Sequence, residues 1–504
     1  VIQTTLHRWS APAFQFLCQL LWVGAVCFLP VTTLSLFPGV SGAPTVRPPS
    51  AALFLLLALV WLLPYILQKK RIPVEGIPLI FFAGATLVSW GLGFFKEVPS
   101  FRGWGVLDEA PQSFATLALA MAAYYVTSTR LTAEPDELQK TLRLVNLSGA
   151  VLLVWSLLQA YFVFFNDGKY PQAIVAVQGL FSTRREGVLF ADRVTGFAYE
   201  PSWLAHQLNM LYLPLWLSSS LLGYTAHAKK LWKISVENIL LVGGVLVLFT
   251  SFSRVGALTF LLMLVYLSFR GTSRLVQRAS VGIYARLLVK SSRPVVARLV
   301  KALLTGLIFV SIVALYILAA AGSFYIGSLF EPRLARILKI DFSTATSFLD
   351  VTNKLAFAER VIYWVTGLNI FQAHPLTGVG LGNAGLYFQE NMPTFGWSLW
   401  EITLLFNYHN IMPNTKSLWV RILAETGLLG FAIFAGWYYL LWSSGKLVRQ
   451  AKQPSHRMIG WATALILLGF LIEGFSVDSF ALPYFWFSVG LLSGTACLVR
   501  RGMS

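Results

Sequence analysis

The sequence predicts an all-α, polytopic membrane protein with about twelve transmembrane helices. Three observations lead there. Of 504 residues, 56% are hydrophobic and only 12% charged, against about 25% charged in an ordinary soluble domain. The apolar residues come in blocks long enough to cross a ~30 Å hydrocarbon core. Lys and Arg fall in short clusters between alternate blocks, as the positive-inside rule describes.

In chain order, spans are expected near 12–32, 50–68, 76–95, 111–128, 145–166, 203–223, 234–252, 255–269, 302–327, 417–443, 458–475 and 483–499. The first block is too long for a signal-peptide core and lacks a small-residue cleavage site, so it reads as a span. The chain opens on Val1 without a Met, which fits removal of an initiator or a tag. The eighth block is short, and the tenth is long enough to tilt.

Lys69-Lys70-Arg71 follows the second block; Arg130, Lys140 and Arg143 follow the fourth; Lys229, Lys230 and Lys233 follow the sixth. Arg270 to Lys301, after the eighth, holds eight Lys or Arg and no carboxylate. Lys446, Arg449, Lys452 and Arg457 follow the tenth, and Arg500-Arg501 the last. With twelve crossings all six clusters share one side, which the rule makes cytoplasmic, with both termini. The net charge of +18 resides largely in these clusters, which suit membrane lipids better than nucleic acid. Cys18, Cys27 and Cys497 lie in apolar blocks, so neither a disulfide framework nor a thiolate metal site is expected.

Two long loops fall on the opposite face, near 167–202 and 328–416, and mix acids with bases. The chain therefore divides into helices one to nine (1–327), a large outside loop (328–416) and helices ten to twelve (417–504). That loop is expected to hold an amphipathic helix near Val351–Phe371, with Leu355, Ile362, Val365 and Leu368 at helical spacing.

The same zigzag puts five cations at the outer boundary. Arg193 precedes the sixth span, and Arg254 sits in a tight turn between two apolar spans. Arg360 lies on the loop helix, while Lys416 and Arg421 open the tenth span. Arginine suits a diphosphate because its fork makes paired bonds and stays charged. The plainer reading is snorkelling at helix ends, which Arg254 resists because its turn needs no charge. Acid–base candidates are Glu200, at the entry of the sixth span, and His409, in Tyr408-His409-Asn410; His374 precedes Pro375. The plainer roles for Glu200 and His409 are a helix cap and a solvated loop histidine. Glu425 stands four residues after Arg421, which favours an ion pair within the helix. Gly378-Val379-Gly380-Leu381-Gly382 mimics a phosphate loop but follows no predicted strand, so it is set aside as a nucleotide fingerprint. No acidic pair suited to a metal-bound sugar nucleotide occurs on the cytoplasmic side, and no cofactor is expected.

Taken together, Arg254-Val255-Gly256-Ala257-Leu258, the run His374 to Asn383 and Ile422-Leu423-Ala424-Glu425-Thr426-Gly427-Leu428-Leu429-Gly430 resemble the O-antigen ligase and O-antigen polymerase family of bacterial envelopes, from about Arg193 to Gly430. The resemblance implies a C-type membrane glycosyltransferase fold in the bacterial inner membrane and a metal-independent inverting enzyme. Its donor would be an undecaprenyl-diphosphate-linked oligosaccharide, used on the periplasmic face. The acceptor would be another lipid-linked glycan, for a polymerase, or lipid A-core, for a ligase; a chain-length regulator would partner a polymerase. By resemblance Arg254 and Arg193 bind the donor diphosphate, and Arg360 and His374 match recurrent positions flanking the loop helix.

One departure stands out. Where ligases carry His-Asn, separated by nine residues from the glycine matched here by Gly427, this chain has Lys416-Ser417, and its His-Asn pair comes seven residues earlier at His409-Asn410. Lys416 is then expected to stabilise the leaving group, and Glu200, narrowly before His409, to orient or deprotonate the acceptor hydroxyl. Tyr199-Glu200-Pro201-Ser202 is more similar to exopolysaccharide polymerases of the wider family, which favours a polymerase. The rival from another class is a lipid-glycan flippase or other transporter, whose two similar halves would be joined by a central loop. No half-to-half repeat is found here.

Overall fold

The computed structural model describes residues 12–35, 46–69, 72–95, 98–99, 101–134, 136–182, 188–228, 234–288, 357–407 and 412–502, with scattered positions from 302 to 328. Among them the regular structure is helical, apart from isolated bridges at Thr33–Arg47 and Phe101–Trp104. The first group is α1 (Pro12–Cys27), α2 (Pro49–Gln68), α3 (Val74–Gly93), α4 (Val106–Ala133), α5 (Glu137–Phe165) and α6 (Gln172–Leu180). Next come α7 (Pro201–Gln207, continued through a π turn, Leu208–Tyr212, into Leu213–Leu222), α8 (Val236–Thr250) and α9 (Arg254–Leu288). Then follow α10 (Ala358–Ala373), α11 (Trp400–Asn407), α12 (Leu418–Val448), α13 (Pro454–Glu473) and α14 (Pro483–Arg500).

Helices thus stand at the predicted segments from the first to the eighth and from the tenth to the twelfth. The ninth segment, 302–327, lies mostly outside the described residues, as do Leu355 and the candidate base His409 with Asn410. Against twelve expected spans, six helices among the described residues are long and apolar enough to cross a membrane: α2, α3, α5, α12, α13 and Arg254–Gly271 of α9. Helices α1 and α8 are apolar but shorter, 16 and 15 residues, or about 24 Å and 22 Å at 1.5 Å per residue.

The chain forms two compact units, Val1–Ala257 with Glu359–Ser504, and Leu258–Ala358. All the described candidate site residues belong to the first. Its outward surface is apolar: Leu67 and Val154 are each 70% exposed, Phe81 65% and Leu59 59%. A surface of that kind needs hydrocarbon rather than water against it. Inside, packing relies on small residues and aromatic rings, because lipid gives helices no hydrophobic reason to associate. On α14, Gly490 and Gly494 form a small-xxx-small ridge against α4. A Cβ at Gly490 would lie 2.8 Å from Thr127 Cβ, and one at Gly494 2.8 Å from the Ser128 carbonyl oxygen. The Tyr124 hydroxyl meets Ser493 Oγ at 2.8 Å in the same seam. Between α12, α13 and α14, Phe470 stacks on Phe485 with centroids 3.8 Å apart, and Trp437 stacks on Trp486 at 5.5 Å.

Some basic residues read as orientation signals also carry structure. Arg500 pairs with the fully buried Glu75 at 2.6 Å, and the Ser444 hydroxyl donates to the same carboxylate at 2.8 Å. Arg130 pairs with Glu137 at 3.0 Å, both buried. The loop helix is present as α10, rotated from the expected face: Ile362, Tyr363, Thr366 and Ile370 are buried, while Leu368 is 38% exposed.

Candidate functional site

The glycine-rich run 378–382 and the α12 motif prove to be two halves of one backbone joint. Helix α12 breaks at Gly427 (φ 62°, ψ −163°). In an unbroken helix the amides of Leu428 and Leu429 would pair with the carbonyls of Ala424 and Glu425. Here the Leu428 amide donates to Pro375 (2.8 Å) and the Leu429 amide to Leu376 (3.1 Å). The two abandoned carbonyls accept instead from Val379 (3.0 Å, at Ala424) and Gly380 (2.9 Å, at Glu425). Two helix bonds are exchanged for four bonds to the incoming segment, so the two amides and two carbonyls freed by the break are each paired. The Ser89 hydroxyl on α3 reaches the carbonyls of Thr377 and Glu425, the latter at 2.7 Å. A Cβ at Gly378 would lie 2.4 Å from the carbonyl carbon of Glu425, which explains glycine there without any phosphate.

Arg254 occupies the first position of α9 and is exposed. Ser253 caps this helix, its hydroxyl accepting from the Gly256 amide at 3.2 Å. The preceding Phe252 is held in the left-handed region at φ 49°, an uncommon state for a large side chain. An arginine in the first turn opposes the helix dipole by about 0.3–1 kcal/mol; with the N-terminal amides it makes a ready anion site. The Val194 amide donates to the carbonyl of Thr250 at 3.0 Å, drawing Arg193 alongside this turn. Arg193 lies 3.5 Å from Asp192 and over the Phe190 ring, and stays a quarter exposed. Gln159 of α5 fixes the loop from beneath: its carboxamide oxygen accepts from Thr195 (3.1 Å) and Gly196 (2.9 Å), and its NH2 donates to the Gly196 carbonyl. Its signal in the sequence is a glutamine inside an apolar block.

Glu200 is the N-cap residue of α7 by position, yet its carboxylate makes no capping bond. It is exposed and accepts from the Ser202 hydroxyl at 3.3 Å. The Tyr199 amide donates to Thr32 Oγ1 at 2.9 Å, and the Tyr199 and Trp203 rings lie 5.6 Å apart beside it.

A second group gathers near the start of α12. Lys416 is left-handed at φ 51°, with its ammonium 5.4 Å from the centroid of Tyr363 on α10. The Tyr363 hydroxyl donates to Glu401 of α11 at 3.0 Å. Burial first, and then the Glu401 carboxylate, push the Tyr363 phenol well above its usual range, so it remains a donor. Arg360, in the first turn of α10, reaches the Ser476 carbonyl at 3.5 Å. His374 is at the other end of α10 against Tyr387, ring centroids 5.3 Å apart. Fourteen residues of helix set the Cα atoms of Arg360 and His374 about 21 Å apart, so the two do not share one subsite.

Arg421 is wholly engaged by protein. Its Nε donates to Glu425 at 2.9 Å, and its terminal nitrogens donate to the Asp478 carbonyl (2.7 Å) and Ser113 Oγ (2.8 Å). The Gly382 amide adds a bond to Glu425. The ion pair expected from spacing is present, and it is one part of a wider brace.

With regular structure that is helical among the described residues, and six of those helices long and apolar enough to cross a membrane, the chain is a multi-spanning membrane protein. Residues 239–435 match the family described as O-antigen ligase. The matched segment holds Arg254, Arg360, His374, Lys416, Arg421 and both halves of the joint at Gly427; Arg193 and Glu200 precede it. No curated protein matches the chain.

Proposed function

We propose that this protein is an inverting, metal-independent glycosyltransferase of the bacterial inner membrane that joins glycans carried on undecaprenyl diphosphate. In this reading the remaining helices also cross the bilayer, the ends of this chain are cytoplasmic, and the chemistry takes place on the periplasmic face. The observation that supports it is the bond from Val194, next to Arg193, to Thr250, four residues before Arg254 opens α9; Arg254 lies within the family-matched segment and Arg193 precedes it. Two guanidinium groups and a helix end suit a diphosphate far better than a neutral ligand.

An acceptor hydroxyl attacks the anomeric carbon, the bond to the diphosphate oxygen breaks, and undecaprenyl diphosphate leaves. Arg193 and Arg254 take up the charge growing on that oxygen, the largest electrostatic demand of the step. Lys416 supplies further positive charge, and Arg360 and His374 contact more distant parts of donor or acceptor. Glu200, exposed and free of capping duty, accepts or orients the hydroxyl proton; His409 is the alternative. Arg421 serves as a brace that keeps α12 in place. The Tyr199–Ser202 entry favours a polymerase, while the family description supports a ligase acting on lipid A-core equally well.

The test is to incubate purified protein with a lipid-linked repeat unit, with and without lipid A-core, and to resolve the products. A ladder supports the polymerase, and a single adduct on the core supports the ligase. Absence of any new glycosidic bond under both conditions would remove the enzyme reading.

A further inference from the structure

Three polar side chains meet inside the bundle directly behind the Arg254 turn. Glu473, the last residue of α13, is fully buried; its Oε2 lies 2.5 Å from Nδ1 of His206, and its Oε1 accepts from Asn209 Nδ2 at 2.8 Å. The same Asn209 nitrogen donates to the carbonyl of Gly256 at 2.9 Å. His206 and Asn209 are three apart on α7 and so share one face. Gly256, two residues after Arg254, is pressed onto that helix: a Cβ there would lie 2.4 Å from Ala205 Cβ.

Beyond Glu473 the chain turns at once into the segment that receives the second group of cations. Gly474 accepts from the Leu418 amide at 2.8 Å and from Ser417 Oγ at 3.2 Å. Ser476 and Asp478 offer carbonyls to Arg360 and Arg421. One carboxylate therefore stands between the Arg254 turn and the turn that orders Arg360, Lys416 and Arg421. Ionisable groups within membrane helices are costly, and apolar side chains of equal volume would hold two helices together at least as well. Bonding to the Gly256 carbonyl is something apolar packing would not provide.

We infer that Glu473, with His206 and acting through Asn209, is a positioning residue that fixes the Arg254 turn for a diphosphate-bearing lipid. The inference rests on the proposed function for its ligand, but its geometry can be tested without turnover. The full chain in nanodiscs is compared with Asn209→Leu and Glu473→Gln by amide hydrogen exchange, with no substrate present. Exchange across 251–257 should rise by at least about tenfold in both variants, while 418–426 is unchanged. Glu473→Gln keeps its volume and gives the answer if Asn209→Leu fails to assemble.

With an undecaprenyl-diphosphate-linked oligosaccharide, kcat should fall about tenfold or more while KM holds within about twofold. In an Arg254→Lys background, Asn209→Leu should add no further loss, since both act through one group. Unchanged exchange at 251–257, or losses that multiply with Arg254→Lys, would overturn the inference. If exchange rises while the wild-type chain forms no glycosidic bond, the positioning stands and the glycosyltransferase reading fails.

Discussion

Gly427 stands so close to Leu376 that a Cβ on it would lie 2.4 Å from both the carbonyl carbon and the carbonyl oxygen of that residue. The contact is the point where the segment after α10 enters the broken turn of α12. Its conformation, φ 62° with ψ −163°, belongs to a region open essentially to glycine alone.

Gly427→Ala should therefore fail on two counts, backbone strain of about 1–3 kcal/mol and a clash with main chain that cannot swing aside. The expected outcome is loss of assembled protein in membranes, read by abundance and detergent melting. Gly436→Ala, on the same helix with nothing within 4 Å of the added Cβ, should be neutral. Equal behaviour of the two would show that the break tolerates a side chain.

Arg254→Lys keeps the charge and loses the fork, so membrane abundance should be normal while product formation drops about 10²-fold or more. Arg193→Ala should weaken donor binding as well as turnover. Near-normal activity in both variants would reduce these arginines to boundary residues.

Sidedness can be read chemically. In a background lacking Cys18, Cys27 and Cys497, cysteines placed at 193, 254 and 409 should react with an impermeant thiol reagent from outside. A cysteine at 285 should react only after permeabilisation. Labelling of 254 from the cytoplasmic side alone would dismantle the proposed site.

The choice of base turns on two substitutions. Glu200→Gln preserves shape and removes the carboxylate, so turnover should vanish while the donor still binds. His409→Ala should leave substantial activity. An active Glu200→Gln enzyme beside a dead, folded His409→Ala enzyme would return the role to the displaced histidine.

Arg421 should behave as part of the framework. Arg421→Met strands Glu425 in the protein interior, and removing one partner of a buried pair costs about 3–5 kcal/mol. Adding Glu425→Leu should recover much of the lost thermal stability. If Arg421→Met melts like the wild type and only donor affinity falls, the residue contacts substrate.

Hydropathy made the helices legible, because a span needs only length and apolarity. The candidate site was legible in fragments. Arg254 announced itself as a charge in a turn that needed none, and the Arg421–Glu425 pair followed from spacing. Asp478 and Ser113 could not be foreseen as partners, since they come from other elements. The run 378–382 pairs with a segment almost fifty residues away through main chain, which leaves no side-chain pattern to read. His206 and Glu473 do leave one, as ionisable residues inside predicted spans.

The joint at Gly427 has a consequence for how this loop can change. Its four bonds are all main chain, and the other end of the loop is secured by Ser417 and Leu418 on Gly474. Between those moorings the chain can lengthen at a closure cost that grows only as the logarithm of its length, about 0.6 kcal/mol per doubling. A shift of seven residues, the distance from His409 to Lys416, is nearly free on that scale. The length of this loop can thus change while the helices on either side of it stay as they are.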